Sequence, residues 1–196
     1  MPKADREERE SVHAAERERA EAPEREFVDA AERERGETAE RLPKAIATAY
    51  RYLNRRERTR AEMREHLHGA GFDHRDVEQA IAALVEDGQL DDACFTRLLI
   101  QDKRELEGWG NDRIRQVLLA RGIDLDVIED GLLAADGADG GGEMERALEL
   151  LRRRFPAPAQ DRRERDRAIG VLVRKGYDVD LALDAIAAHA RGEEPL

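Results

Sequence analysis

Aromatic residues are scarce in this chain of 196: four Phe, three Tyr and one Trp. Strands draw on aromatic and β-branched residues, and here Ala, Leu, Glu and Arg take their place, so the sequence reads as all-α. A lone cysteine, Cys94, excludes an intrachain disulfide and any cysteine cluster for zinc, which fits a reducing compartment. No apolar run approaches the ~18 residues of a membrane helix, and the N-terminus lacks the apolar core of a secretory signal. A soluble, cytoplasmic protein with no membrane partner is therefore expected. Positive charge is also short, at a formal net charge of −11. No global basic field draws the chain to DNA, so any nucleic-acid contact has to come from a local patch.

The patterns of catalysis are missing as well. The five histidines are His13, His66, His68, His74 and His189. His66 and His68 would point on the order of 200° apart on a helix and could not share a metal. There is no phosphate loop, nucleophile elbow or zinc-protease motif. Cys94, beside Phe95 at the start of an apolar stripe, reads as a packed thiol. No catalytic, cofactor-binding or metal-binding residue is expected, and the chain is not expected to be an enzyme.

What is present begins as two different materials. Residues 1–44 carry ten Lys/Arg against fourteen Asp/Glu, with Val12, Phe27, Val28 and Leu42 as nearly their only large apolar residues. Such a segment buries too little surface to offset chain entropy, so residues 1–43 read as a solvated tail, partly helical at best. From Ala45 the apolar spacing turns helical. Ile46, Tyr50 and Leu53 share a face. Thr59-Arg60-Ala61-Glu62 spells a capping box for the next helix, and Asp73 caps a third that carries Val77, Ile81 and Leu84.

This arrangement recurs. Aligned on Gly71, Gly122 and Gly176, which lie 51 and 54 residues apart, five offsets agree. Leu67, Leu118 and Leu172 stand four before the glycine. Phe72, Ile123 and Tyr177 follow it directly, and Asp73, Asp124 and Asp178 come next. Val77, Ile128 and Ala182 stand six after; Ile81, Leu132 and Ile186 stand ten after. Each copy therefore predicts a helix stop, an apolar plug, an N-cap and a core stripe, and a period near 50 predicts a tandem helical array. The expected architecture is three three-helix repeats in an elongated, curved body: residues 44–90, 91–135 and 143–191, with a Gly-rich joint at 136–142.

At this point the residues resemble a known family. Tyr52-Leu53-x-x-Arg56-x-x-Thr59-x-x-Glu62, Gly71-Phe72, Gly88-x-Leu90-Asp91-Asp92-x-x-Phe95 and Ile114-Arg115-Gln116-x-Leu118-x-x-x-Gly122-Ile123 are similar to RecX, the bacterial regulator of the RecA recombinase. The resemblance spans about 45–190; it is strong in the first two repeats and carried mainly by the glycine-aromatic-aspartate joint in the third. It implies a modular, non-enzymatic, monomeric protein that binds the RecA–DNA filament. It also implies that the protein mainly inhibits recombinase, ATPase and coprotease activities, within DNA repair and the SOS response. Two other readings stay open: a helix-turn-helix-like DNA binder, and a general helical-repeat scaffold for another protein. Against the first, the third helices open on acids that repel phosphates.

The surface residues available for such contacts are basic. Arg51, Arg55, Arg56, Arg58 and Arg60 stand against a single acid, Glu57, and Arg51, Arg55 and Arg58 share a face provided the first helix continues that far. A second patch holds Arg153, Arg154, Arg163 and Arg167, joined by Arg174; Arg163, Arg167 and Arg174 have helical spacing. Arg113 and Arg115 are further candidates. These groups are expected to meet RecA's acidic surface or DNA phosphates. Trp109, between two glycines, either anchors a partner or folds back over the second unit's core.

Overall fold

The computed structural model describes residues 40–138 and 142–192. Every regular element among them is a helix: α1 (residues 40–53), α2 (Arg60–Gly69), α3 (His74–Glu86), α4 (Asp92–Glu107), α5 (Asn111–Ala120), α6 (Leu125–Ala138), α7 (Glu143–Arg154), α8 (Arg162–Lys175) and α9 (Val179–Arg191). They form three groups of three, each closed over its own core. Met63, Leu67, Val77 and Leu84 centre the first, Ile100, Ile114, Leu118 and Ile128 the second, and Leu151, Leu172, Ala182 and Ala185 the third. The repeat offsets account for this. Positions four before, six after and ten after each joint glycine are buried in all three copies. Each such leucine or isoleucine removed from water contributes about 1.5–3 kcal/mol.

Short polar side chains start the helices. Thr59 accepts the Glu62 N–H, and the Glu62 carboxylate accepts the Thr59 N–H, completing the capping box. Asp73, Asp91, Asp161 and Asp178 cap α3, α4, α8 and α9 by accepting first-turn amides.

The joint glycines also join consecutive units. Gly122 and Gly176 have φ of +74° and +89°, a region other residues enter only under strain. A Cβ at Gly122 would overlap that of Ala61, and one at Gly176 would overlap the backbone of Arg113. The turn after α5 thus sits on the start of α2, where the Thr59 hydroxyl donates to the Arg121 carbonyl at 2.8 Å. One repeat later the turn after α8 sits on the start of α5. There the Gly110 N–H donates to the Lys175 carbonyl at 2.9 Å and the Asp112 N–H to the Gly176 carbonyl at 3.1 Å.

Three expectations change at the edges of elements. The first described helix already runs at residue 40, so Leu42 is not tail: it packs against the first core. Residues 1–39, where the charged tail is expected, lie outside the described residues. α1 stops at residue 53, so Arg55, Arg56 and Arg58 lie in the turn before α2 and share no helical face with Arg51. α6 continues to Ala138, so the first residues of the expected glycine-rich joint are helical. Tertiary contacts hold that last turn: Ala135 packs on the second core, and Asp136 accepts Arg104 and Arg146, both at 2.8 Å. Residues 139–141 lie outside the described residues.

Candidate partner-binding surface

The turn after α1 sorts its arginines by what they touch. Arg51 bonds within its own helix, to the Ala47 carbonyl and the Thr48 hydroxyl. The Arg56 guanidinium reaches the capping-box carboxylate of Glu62 at 3.0 Å. Arg58 lies 3.9 Å above the Tyr52 ring, whose other face stacks on His66 at 3.8 Å. This cation–π layer packs the turn onto α2. The Arg60 N–H donates to Asp92, across to the second unit. The side chains of Arg55 and Arg60 are exposed and form no ion pair among the described residues.

In the third unit the chain turns between α7 and α8. Arg153 and Arg154 leave the last turn of α7 exposed, where cations favour the helix C-terminus. Arg163 and Arg167 stand one turn apart on α8, both exposed and without an ion-pair partner among the described residues. Arg174 lies on the same helix. The structure brings it against Arg113, whose guanidinium donates to the Arg174 carbonyl at 3.0 Å. Arg115 is committed elsewhere: its fork grips Glu129 at 2.6 and 3.2 Å and Asp112 at 2.6 Å. The same grip occurs one repeat earlier between Arg64 and Glu78, so Arg115 braces the second helix of its unit against the third. These guanidiniums hold the Glu78 and Glu129 carboxyls below the usual carboxylate range. Trp109 is 8% exposed, within the second core, with Arg113 at 4.1 Å and Lys103 at 4.7 Å from its ring. Its indole is not presented as a surface anchor.

Sequence reasoning missed a groove of about 940 Å³ between α4 and α6 on one side and α7 on the other. Arg97 and Arg153 stand at it, over Arg104, whose side chain is 3% exposed and bound to Asp136 and Asn111. Glu143 accepts the Asn111 N–H at 2.7 Å, capping α5 from the third unit, and burial pushes its carboxyl above the ordinary value. Burial likewise raises the Tyr177 phenol to about 12. No signal in the sequence marks this groove, because its walls come from helices of two units. Among the described residues no three His, Cys, Asp or Glu side chains are placed to hold a metal ion. No described helix is long and apolar enough to cross a membrane.

The profile for the first three-helix domain of RecX matches residues 45–84, and that for the second three-helix domain matches residues 91–132. Regulatory protein RecX of Mycobacterium sp. (strain JLS) is 33% identical over 156 residues, covering 76% of this chain and 84% of the relative. The chain belongs to the RecX family. The regulatory protein RecX of Deinococcus radiodurans is 35% identical over 141 residues, covering 72% of this chain and 66% of the relative. The crystal structure of RecX from Lactobacillus salivarius superposes with a TM-score of 0.66 over 79% of this chain and 99% of that one; at 21% identity it speaks to the fold alone. RecX proteins are named regulatory proteins. The residues that matched the family pattern in the sequence are, in the structure, caps and core: Thr59 and Glu62 start α2, Leu90 and Phe95 are buried, and Ile114, Leu118 and Ile123 line the second core.

Proposed function

We propose that this protein acts in the cytoplasm as a binding modulator of the RecA recombinase. It binds the RecA–DNA filament as a monomer, limits its growth, and so inhibits strand exchange, ATP hydrolysis and coprotease activity without catalysis of its own. The observation that carries this reading is membership of the RecX family across the first two units, joined to a third unit of the same build. The surface supports it. Arg55 in the first unit, and Arg163 and Arg167 in the third, are exposed and free of ion pairs among the described residues. Such arginines suit acidic protein surface or phosphate, and several weak contacts linked on one chain add through effective concentration. The third helices start with Asp73 and Asp76, Asp124 and Asp126, and Asp178 and Asp180, which disfavours inserting them in a DNA groove.

The test is RecA-dependent ATP hydrolysis and strand exchange on single-stranded DNA, with this protein added at fixed salt. Inhibition of both well below one molecule per RecA protomer is the expected result. Unchanged rates up to equimolar protein would overturn the reading.

A further inference from the structure

Where the turn after α8 meets the start of α5, the surface opens into a hollow of about 430 Å³. Its lining includes Arg113 and Arg174, the apolar pair Val173 and Val179, and two acids, Asp112 and Asp178. Both acids are engaged. Asp112 holds Arg115 at 2.6 Å, and Asp178 caps α9 by accepting the Asp180 and Leu181 amides. Neither arginine forms an ion pair among the described residues. Arg113 stacks on Trp109 and donates to a backbone carbonyl, and the nearby Glu107 carboxylate is taken by Lys103 at 2.5 Å. Arg174 is exposed. The guanidiniums are therefore the charged groups of the hollow that have no side-chain partner of opposite charge among the described residues.

The apolar pair is a feature of the repeat. Val173 and Val179 stand three before and three after the joint glycine and are 40% and 50% exposed. The second unit has Leu119 and Leu125 at the same offsets, 46% and 50% exposed, whereas the first unit has His68 and His74, with parallel rings 6.0 Å apart. The arginines are not part of the repeat. At the joint between the first and second units the positions of Arg113 and Arg174 are held by Glu62 and Ala120. Of the two joints, the one between the second and third units combines exposed apolar side chains with unneutralised guanidiniums.

We infer that this hollow is a docking site for an acidic protein segment bearing a bulky apolar side chain. That side chain seats on Val173 and Val179, and neighbouring carboxylates pair with Arg174 and the free edge of Arg113. A nucleic acid would satisfy the arginines but leave the valines in water, so the apolar pair argues for protein. At about 430 Å³ the hollow lies within the size range of small-molecule sites, enough for one bulky side chain. The inference concerns the hollow and holds whichever protein supplies the segment; it does not rest on the RecA reading.

Fluorescence anisotropy decides it, with three labelled probes. One is a peptide alternating Asp or Glu with Leu or Phe, one is the same peptide with Ser at the apolar positions, and one is an oligo-dT strand. Wild type should bind the first peptide saturably, and both R174E and the double variant V173S/V179S should weaken it roughly tenfold or more, as truncated interface anchors do. R75E, an exposed charge on α3 outside the hollow, should leave it within about twofold, as an exposed charge away from a contact does. The serine peptide should bind like the weakened variants. The altered positions are exposed, and circular dichroism melts confirm that each variant is folded. No saturable binding of the apolar peptide by wild type overturns the inference, as does equal binding of the serine peptide. Retained affinity in V173S/V179S with loss of oligo-dT binding in R174E also overturns it, and assigns the arginines to nucleic acid.

Discussion

Glu143 opens α7, yet its carboxylate serves α5, accepting the Asn111 N–H at a helix start whose N-cap, Gly110, has no side-chain acceptor. Burial raises its pKa, so the folded state holds that proton more tightly than the unfolded chain does. Stability associated with this group is therefore greatest at acid pH and declines as pH rises through the folded value. Glu143→Gln keeps an acceptor and removes the buried charge, so at pH 7 its melting temperature should equal or exceed that of wild type. The gap should close as pH falls into the carboxylate range. Glu143→Ala also loses the cap and should fall below Glu143→Gln by about 1 kcal/mol at every pH. Thermal melts between pH 4 and 8 check both, and a Gln variant clearly less stable at pH 7 would refute the assignment. Arg58 and Arg56 show the same principle on the surface. A guanidinium over Tyr52 and another on Glu62 shape the turn, so their charge is already used within the first unit.

At the scale of elements, the glycine turn carries two duties. It stops a helix, which the periodicity of the sequence reveals, and it lets two units approach to backbone contact, which periodicity does not reveal. Gly122→Ala and Gly176→Ala should each destabilise by about 2–4 kcal/mol, through positive φ and overlap with Ala61 or Arg113. Urea denaturation measures this, and a loss below about 0.5 kcal/mol, the usual range for a neutral surface change, would mean the joint opens freely. The Arg64–Glu78 and Arg115–Glu129 bridges brace the first two units, whereas Ile169 and Leu183 stand at these offsets in the third. With Glu129's side chain 47% exposed, that exchange of charge for apolar contact is nearly neutral in stability, of order 0–1 kcal/mol. It does change the surface, adding Leu183, 44% exposed, to an apolar patch on the third unit. The helix starts were legible because caps are local, within three residues of what they cap. The end of α6 was not, since Arg104 and Arg146, from two other helices, hold Asp136 in place.

For the whole molecule, Arg55 in the first unit and Arg163 and Arg167 in the third are exposed and free of ion pairs among the described residues, which gives the RecA reading a specific consequence. The triple variant R55E/R163E/R167E should raise the concentration needed for half-inhibition of RecA ATP hydrolysis roughly tenfold, and added salt should narrow the difference. R115E should instead lower the melting temperature, because that arginine braces Glu129. Equal inhibition by the triple variant and wild type would place the contact elsewhere. The sequence by itself determined the helical class, the caps, the three-fold recurrence of stop, plug, cap and stripe, and the family pattern. Each is written in spacings of a few residues that helical geometry imposes on any chain. The tertiary structure decided which charges remain available and where the units touch. Thr59 meets Arg121 across 62 residues and Arg113 meets Arg174 across 61. Trp109 lies in a core, and Gly176 lies on the start of a helix from the unit before it. Such meetings depend on how one unit stacks on the next, and a local pattern holds no information about that distance.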